Sequence, residues 1–235
     1  PVVVWREALV GLIFSGLLAV AQAEYLAGMV AFARGDYQTA LAEWRPLAEQ
    51  GQAEAQFNLG VLCDGGLGIE QSPALAAHWY RRAAEQGHAE AQFNLAVLYA
   101  NGLGVVRDMA EAARWYERAA VQGQVEAQFN LGVLYEDGSG VAPSHVRAAY
   151  WYRLAAYQGH VVAQNNLGIL YANGRGVPQD GVTAYAWYDV AAGSGNAKAR
   201  FNRERLAESL TPEQVLEARQ LAAEFAKRYR SWPKG

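Results

Sequence analysis

The sequence contains one cysteine, Cys63, among 235 residues, so an internal disulfide framework is excluded. Only four histidines occur, and no two of them have the i, i+4 spacing of a helical metal site. Positive charge is not in excess, since the net charge is -3, which argues against a nucleic-acid-binding surface. These shortages lead us to expect no catalytic residues, no metal site, no cofactor and no nucleic-acid partner.

No apolar run reaches the roughly 20 residues that a membrane-spanning helix needs. The apolar run at 8–20 follows Arg6 and precedes Ala21-Gln22-Ala23, which has the small residues of a signal-peptidase site. This pattern predicts a signal peptide over residues 1–23, cleaved after Ala23. The mature protein would then be exported, either periplasmic or extracellular, with no stable membrane insertion after cleavage. An uncleaved anchor and a buried helix are the alternatives for this segment.

What the chain does have is a unit of 36 residues that recurs four times without a gap, at 53–88, 89–124, 125–160 and 161–196. A fixed period of this size is typical of a solenoid, in which each unit buries its apolar face only against its neighbours. We number the positions of the unit from 1 to 36, beginning at Ala53. Hydrophobic residues make up 52% of the chain, which is enough to bury such faces.

Each unit predicts two helices joined by a glycine-rich loop. In the first helix, small or apolar residues recur at positions 3, 7, 10 and 11, which is helical spacing. Position 8 is glycine in three units, which predicts that another helix crosses closely there. Paired glycines, such as Gly102 and Gly104, then end this helix.

The second helix of each unit has an N-cap residue and an aromatic pair. The N-cap residues at position 20 are Ser72, Asp108, Ser144 and Asp180. The aromatic pair is Trp-Tyr in every unit, as at Trp115-Tyr116. Strict repetition inside an amphipathic helix favours packing between helices as the role of this pair, and exposed rings that stack on sugars are the alternative.

These residues resemble the Sel-one-like repeat (SLR) family, a branch of the tetratricopeptide (TPR) superfamily. The resemblance covers 53–196 and lies in the pattern A-x-A-Q-x-N-L-G-x-x-Y-x-x-G-x-G-V, the capped helix with A-x-x-W-Y, and the closing A-A-x-Q-G. It implies an all-α fold, namely a right-handed α/α superhelical solenoid of antiparallel helix pairs. It also implies a protein-binding adaptor of bacterial type.

The flanks of the repeats fit this pattern more loosely. Residues 24–52 match a shortened TPR-like repeat, because Gly28 and Trp44 align while the glycine loop is absent. Residues 197–235 are expected to form C-terminal capping helices, in which Arg203-Glu204 replace Leu-Gly and face water. A capping box at 211–214 starts the last of these helices.

Positions 2, 6, 9 and 13 of the first helix fall on one arc, opposite the core residues. In the superfamily this arc lines the concave groove. Position 6 is asparagine in every unit, and its amide either binds an extended peptide or bonds the neighbouring repeat. The candidate partner-binding residues on this arc are Asn58, Glu90, Asn94, Glu126, Asn130, Asn166 and Asn202.

The charge along the arc changes from acidic in the early units to basic after residue 197. This order would steer a partner of complementary charge into one register. We therefore predict a non-catalytic scaffold or adaptor that binds a protein or peptide in the concave groove, in the periplasm. Two other hypotheses remain: a carbohydrate- or cell-wall-binding module that uses the Trp-Tyr pairs, and an enzyme with a shallow site between repeats.

Overall fold

The computed structural model describes residues 20–231, and the side chains of residues 20–228. All regular secondary structure in that range is helical, as the sequence predicts. The chain forms two compact units, an N-terminal unit that ends at Arg107 and a C-terminal unit that begins at Asp108. Most of the expected signal peptide, residues 1–19, lies outside the described residues, and residues 20–23 belong to the first helix.

The N-terminal unit has five helices among its described residues. Helix α1 covers residues 20–33, and α2 to α5 are Tyr37–Glu49, Ala53–Gly65, Pro73–Glu85 and Ala89–Asn101. Helix α2 packs on α3, α3 on α4, and α4 on α5. The side chains of Trp44, Leu47 and Leu59 lie in the core at the start of this stack.

The C-terminal unit consists of α6 to α12 within the described range. These helices are Met109–Val121, Val125–Asp137, His145–Tyr157, Val161–Asn173, Gly181–Gly193, Ala197–Ala207 and Pro212–Ser231. Each of the helices α6 to α10 packs on the next one along the chain, whereas α12 lies against α10 and, less extensively, α8. Consecutive pairing of this kind confirms the prediction of an α/α solenoid.

The predicted capping residues do begin the second helices. Ser144 Oγ, for example, accepts a hydrogen bond from the Arg147 N–H at 3.3 Å. At the start of α12, the Thr211 N–H donates to Gln214 Oε1 at 2.9 Å, and the Gln214 N–H donates to Thr211 Oγ1 at 3.3 Å. Each such cap contributes about 1 kcal/mol and fixes where its helix starts.

The paired glycines allow each loop to rest on the preceding repeat. In the fourth repeat, Gly174 ends α9 with φ at 65°, and Gly176 follows with φ at 70°. A Cβ added to Gly176 would overlap the carbonyl group of His145 in the first turn of α8. Backbone therefore touches backbone at this point, and only glycine combines that approach with a left-handed φ.

The glycines at position 8 make room for a tyrosine ring. A Cβ built on Gly132 would lie 2.6 Å from Tyr152 Cδ1, and one on Gly168 would lie 2.7 Å from Tyr188 Cδ1. The close crossing predicted from these glycines is confirmed, and an aromatic side chain of the second helix fills it. Gly28 of α1 lies under Trp44 of α2 in the same way.

Candidate partner-binding surface

In each compact unit, the first helices of the repeats present a solvent-facing side, which we call the first-helix face of that unit. It consists of positions 2, 6, 9 and 13 of these helices, which are α3 and α5 in the N-terminal unit and α7, α9 and α11 in the C-terminal unit. Residues at positions 2 and 13 are mostly exposed in these helices, and the asparagines at position 6 are half-buried. Positions 3 and 7 point the other way, so alanine and leucine there are buried in α3, α5, α7 and α9.

The asparagines at position 6 mostly bond to a tyrosine hydroxyl of an earlier helix. For Asn58 the Nδ2–H donates to the Tyr25 hydroxyl at 3.3 Å. The pairs are Asn58–Tyr25 and Asn94–Tyr80 in the N-terminal unit, and Asn130–Tyr116 and Asn166–Tyr152 in the C-terminal unit. The sequence leaves two roles open for these amides, binding a peptide or holding neighbouring repeats together. The contacts with the tyrosines are those expected of the second role.

These contacts leave part of each amide free for a partner. Burial raises the pKa of Tyr116 to about 12, so its hydroxyl is protonated and neutral near pH 7. An asparagine amide has two N–H donors and a carbonyl acceptor, and the tyrosine takes one N–H. The remaining groups of Asn94 and Asn130 stay at a half-exposed surface. Fixing the repeats and binding a peptide are therefore compatible roles.

Asn202 departs from this row. Its Nδ2–H donates to Asn165 Oδ1 at 3.0 Å, and the Asn165 Nδ2–H donates to Asn166 Oδ1 at 3.3 Å. Asn165 is only 5% exposed and replaces the phenylalanine that the first three repeats carry at position 5. The substitution thus supplies a buried acceptor that holds the Asn202 side chain.

The two candidate glutamates are exposed and lie near the N-terminal ends of their own helices. Glu90 Oε2 lies 3.4 Å from His88 Nδ1, and Glu126 Oε2 accepts a hydrogen bond from Gln124 Nε2 at 2.9 Å. Negative charge is favourable at this end of a helix because of the helix dipole. Both carboxylates remain open to solvent and available to a partner.

Within the C-terminal unit, the charge of the first-helix face changes sign. Helix α7 carries exposed Glu126 and Asp137, whereas α11 carries exposed Lys198 and Arg205 at positions 2 and 9. The other two cations of α11 lie off this face, Arg200 at position 4 and Arg203 at position 7, and Arg203 is paired with Asp189 of α10 at 2.6 Å. The positive charge of the face at this end therefore comes from Lys198 and Arg205.

The model of the Sel1 repeat matches the chain at residues 53–88, 89–124, 125–160 and 161–196. The chain belongs to the Sel1 repeat family. Sel1 repeat proteins are generally protein-interaction scaffolds, and the family is typically non-catalytic. Among curated proteins, a search found no match.

Two solved structures are similar to this Sel1 repeat chain. A Sel1 repeat protein from Oxalobacter formigenes is 34% identical, with a TM-score of 0.76, and the match covers 86% of this chain and 84% of that one. A protective antigen of uropathogenic Escherichia coli that displays an SLR fold is 33% identical, with a TM-score of 0.57. That match covers 87% of this chain and 52% of the antigen.

The Trp-Tyr pairs of these Sel1 repeats are largely buried. Trp115, Trp151 and Trp187 are 6%, 8% and 2% exposed. The Arg118 guanidinium lies 4.4 Å from the Trp115 ring, and Trp187 stacks on Phe225 at 4.2 Å between ring centroids. These three indoles stabilise contacts between helices and present no open face on which a sugar could stack.

A second polar row, at position 4, received no role from the sequence. Its members Gln56, Gln92, Gln128 and Gln164 are at most 4% exposed. The Gln128 Nε2–H donates to the Ala120 carbonyl at 3.1 Å, and Gln128 Oε1 accepts from Gln158 Nε2 at 2.8 Å. The signal was present in the sequence, since position 4 is glutamine in all four Sel1 repeats.

The glutamine row is incomplete at its last member. Gln164 Nε2 donates to the Ala156 carbonyl at 3.1 Å, but Gln164 Oε1 is buried without a hydrogen-bond donor. The donor position that Gln158 fills for the preceding repeat is occupied here by the short side chain of Ser194. A buried acceptor without a donor costs about 1–3 kcal/mol.

Two further observations concern the described part of the chain as a whole. Between residues 20 and 231, no group of three His, Cys, Asp or Glu side chains is arranged to hold a metal ion. Over the same residues, no helix has the length and apolar character required to cross a membrane. Cys63 is buried, and burial raises the pKa of its thiol.

Proposed function

We propose that this Sel1 repeat protein is an exported, non-catalytic scaffold that binds a protein or peptide along the first-helix face, in the periplasm. The observation that carries the proposal is the charge order of the C-terminal unit. Exposed carboxylates at Glu126 and Asp137 on α7 give way to exposed cations at Lys198 and Arg205 on α11. A partner with the opposite order of charges would be attracted in one register and repelled in the other.

The asparagines between these charges support the same surface. Tyrosine hydroxyls hold Asn130 and Asn166 in place before any partner arrives. A group that is already ordered loses little conformational entropy on binding, so its hydrogen bonds contribute more of their free energy to affinity. The unused N–H and carbonyl of an amide complement the backbone of an extended peptide.

Export rests on the apolar run at 8–20 and on Ala21-Gln22-Ala23. We expect the mature chain to begin at Glu24. Amino-terminal sequencing of the protein recovered from periplasmic, membrane and culture-medium fractions tests this directly. Recovery of an intact leader, or of the protein in the cytoplasm, would contradict the proposed export.

The binding surface is tested by a matched pair of charge reversals on adjacent helices. Glu126→Lys changes the first-helix face, and Glu117→Lys makes the same change on the exposed side of α6, a second helix. We expect Glu126→Lys to reduce recovery of the partner in affinity purification from native envelopes with mass spectrometry. We expect Glu117→Lys to leave recovery unchanged, and circular dichroism should show equal helicity for both.

Lys198→Glu provides the complementary change at the basic end of the face. The same partner should be lost with Lys198→Glu and with Glu126→Lys if it spans α7 to α11. Recovery of every partner at the wild-type level with both variants would contradict binding along this face.

A further inference from the structure

The last tyrosine of the position-28 row, Tyr188, has a different environment from the earlier ones. Tyr80, Tyr116 and Tyr152 each bond to the asparagine of the next first helix. Asn202, the corresponding asparagine for Tyr188, bonds to Asn165 instead. No hydrogen bond to the Tyr188 hydroxyl occurs within the described residues, although the side chain as a whole is only 4% exposed.

A carboxylate is also missing beside Tyr188. The Tyr152 hydroxyl donates to Glu136 Oε2 at 2.7 Å, and Glu136 is at position 12 of its repeat. The same position is Asp64 beside Tyr80, whose negative charge raises the Tyr80 pKa further. Position 12 is alanine in the second repeat, Ala100, and in the fourth, Ala172. Tyr188 therefore has neither of the two partners that Tyr152 has.

The ring of Tyr188 is nevertheless seated as the ring of Tyr152 is. Both rings pack on the position-8 glycine at nearly the same distance, 2.7 Å for a Cβ on Gly168 and 2.6 Å for one on Gly132. The hydroxyl of Tyr188 thus lies where a carboxylate and an amide would meet it in the preceding repeat. Relative to Tyr152, Tyr188 lacks a bond to both a carboxylate and an amide.

An open cleft of about 540 Å³ occupies this place, between α9, α10 and α11. No acidic residue lines it. Ser209 Oγ donates to the Leu206 carbonyl and Asn173 Nδ2 donates one N–H to the Ile169 carbonyl, at 2.8 Å each. The lining donors that remain are the Tyr188 hydroxyl, the Arg205 guanidinium, and the second N–H of Asn173 and of Asn202. Burial raises the pKa of Tyr188 to about 12, so the hydroxyl keeps its proton near neutral pH.

We propose that this cleft, which we call the Tyr188 cleft, binds a carboxylate group of the peptide partner. The Tyr188 hydroxyl would donate to the carboxylate as Tyr152 donates to Glu136, and Arg205 would supply the opposite charge. The carboxylate belongs either to an Asp or Glu side chain or to a free carboxyl terminus. Lys198 and Arg200 on the same helix attract acidic segments toward the cleft. This inference rests on the proposed binding of a peptide along the first-helix face.

The test uses fluorescein-labelled decapeptides and the full chain, with binding measured by fluorescence polarisation. One peptide alternates Ala and Asp, its counterpart alternates Ala and Asn, and each is made with a free or an amidated carboxyl terminus. We expect an Asp peptide or a free terminus to bind at least ten-fold more tightly than the amidated Ala-Asn peptide. Which of the two carboxylates is responsible then identifies the source of the group. Equal binding of all four peptides would overturn the proposal.

Substitutions then separate the Tyr188 cleft from general attraction to the basic helix. Tyr188→Phe removes a single hydroxyl and no charge, and should weaken the carboxylate peptide about ten-fold. Arg205→Gln should weaken it by a similar factor. Tyr150→Phe is the matched control, because it removes the hydroxyl of an exposed tyrosine on α8, a second helix, and it should change affinity less than two-fold. Equal affinities for Tyr188→Phe and the unaltered protein would overturn the proposal.

Ala172→Glu adds the missing carboxylate from within the chain. It should occupy the Tyr188 cleft as Glu136 does in the preceding repeat, and abolish peptide binding. The proposal for the Tyr188 cleft and the proposal of a scaffold function can also be contradicted independently of each other. A native partner whose capture is lost with Glu126→Lys but is unchanged by Tyr188→Phe would contradict the Tyr188 cleft and leave the scaffold function standing.

Discussion

The junction around Tyr152 and the junction around Tyr188 have the same backbone and different chemistry. Each tyrosine ring packs on a glycine of the preceding first helix, and a Cβ added to that glycine would lie 2.6 Å from Tyr152 and 2.7 Å from Tyr188. At Tyr152 the hydroxyl meets Glu136 and Asn166, so the junction is closed by hydrogen bonds. At Tyr188 neither partner is present and an open cleft remains. A solenoid can therefore keep its packing while one repeat loses an internal hydrogen bond.

The difference comes from a few substitutions in the last repeat. Asn165 replaces a phenylalanine and Ser194 replaces a glutamine, and Ala172 stands where the third repeat has Glu136. Each changes a polar contact without touching the leucines, alanines and glycines that pack the helices. Departures from the repeat are informative because the repeat itself shows what each position does elsewhere in the same chain.

The largest effect on stability should come from a substitution that disturbs the backbone packing of the repeats, on which this comparison depends. Gly176→Ala would press a Cβ into the His145 carbonyl and strain a left-handed φ of 70°. We expect it to lower the free energy of unfolding by about 3 kcal/mol. Chemical denaturation followed by circular dichroism measures this value.

Gly195→Ala is the control for Gly176→Ala. Its φ is 90°, but no atom lies within 4 Å of an added Cβ. It should cost only about 1 kcal/mol, the strain of the left-handed conformation alone. Equal losses in the free energy of unfolding for the two variants would show that the loop does not rest on α8 as described.

An intermediate effect on stability should distinguish Tyr152 from Tyr188. Tyr152→Phe removes a hydroxyl that donates to Glu136 and accepts from Asn166, and should lower the free energy of unfolding by about 2 kcal/mol. Tyr188→Phe removes a hydroxyl without an internal bond, and should change stability by less than about 0.5 kcal/mol. Urea denaturation of both variants checks the contrast. Losses of the same size would mean that the two hydroxyls are equivalent in solution.

The smallest effect should come from restoring the glutamine row. Ser194→Gln places a donor near Gln164 Oε1, as Gln158 does for Gln128, and should raise the free energy of unfolding by about 1 kcal/mol. The reverse change, Gln158→Ser, should lower it by a similar amount. A loss of stability with Ser194→Gln, measured in the same urea titration, would contradict the assignment of Ser194 to that row.

Much of the fold could be predicted because its signals are local. N-caps such as Ser144 and the capping box of Thr211 and Gln214 lie within three residues of the groups they bond, so sequence spacing is enough to find them. The position-8 glycines likewise predicted close crossing. The identity of the crossing group was not predictable, because Tyr152 is 20 residues away from Gly132 and many side chains could have filled the space.

The candidate site was predictable in place but not in detail. The helical period puts Asn94 on the first-helix face of the N-terminal unit, and Asn130 and Asn166 on that of the C-terminal unit, all half-buried. Their tyrosine partners come from another helix, so the sequence could only narrow the role of the amides to two alternatives. The buried glutamines were missed altogether, since a glutamine at helical spacing does not by itself show whether its amide meets water or a carbonyl.

By itself, the sequence determined the repeat, its helices and their ends, and thereby the Sel1 family, because these depend on neighbouring residues and on a regular period. It also determined which positions differ in the fourth repeat. Only the tertiary structure decided what those differences do. Whether a tyrosine hydroxyl is bonded or left open, as at Tyr152 and Tyr188, depends on side chains that three separate helices bring within hydrogen-bonding distance.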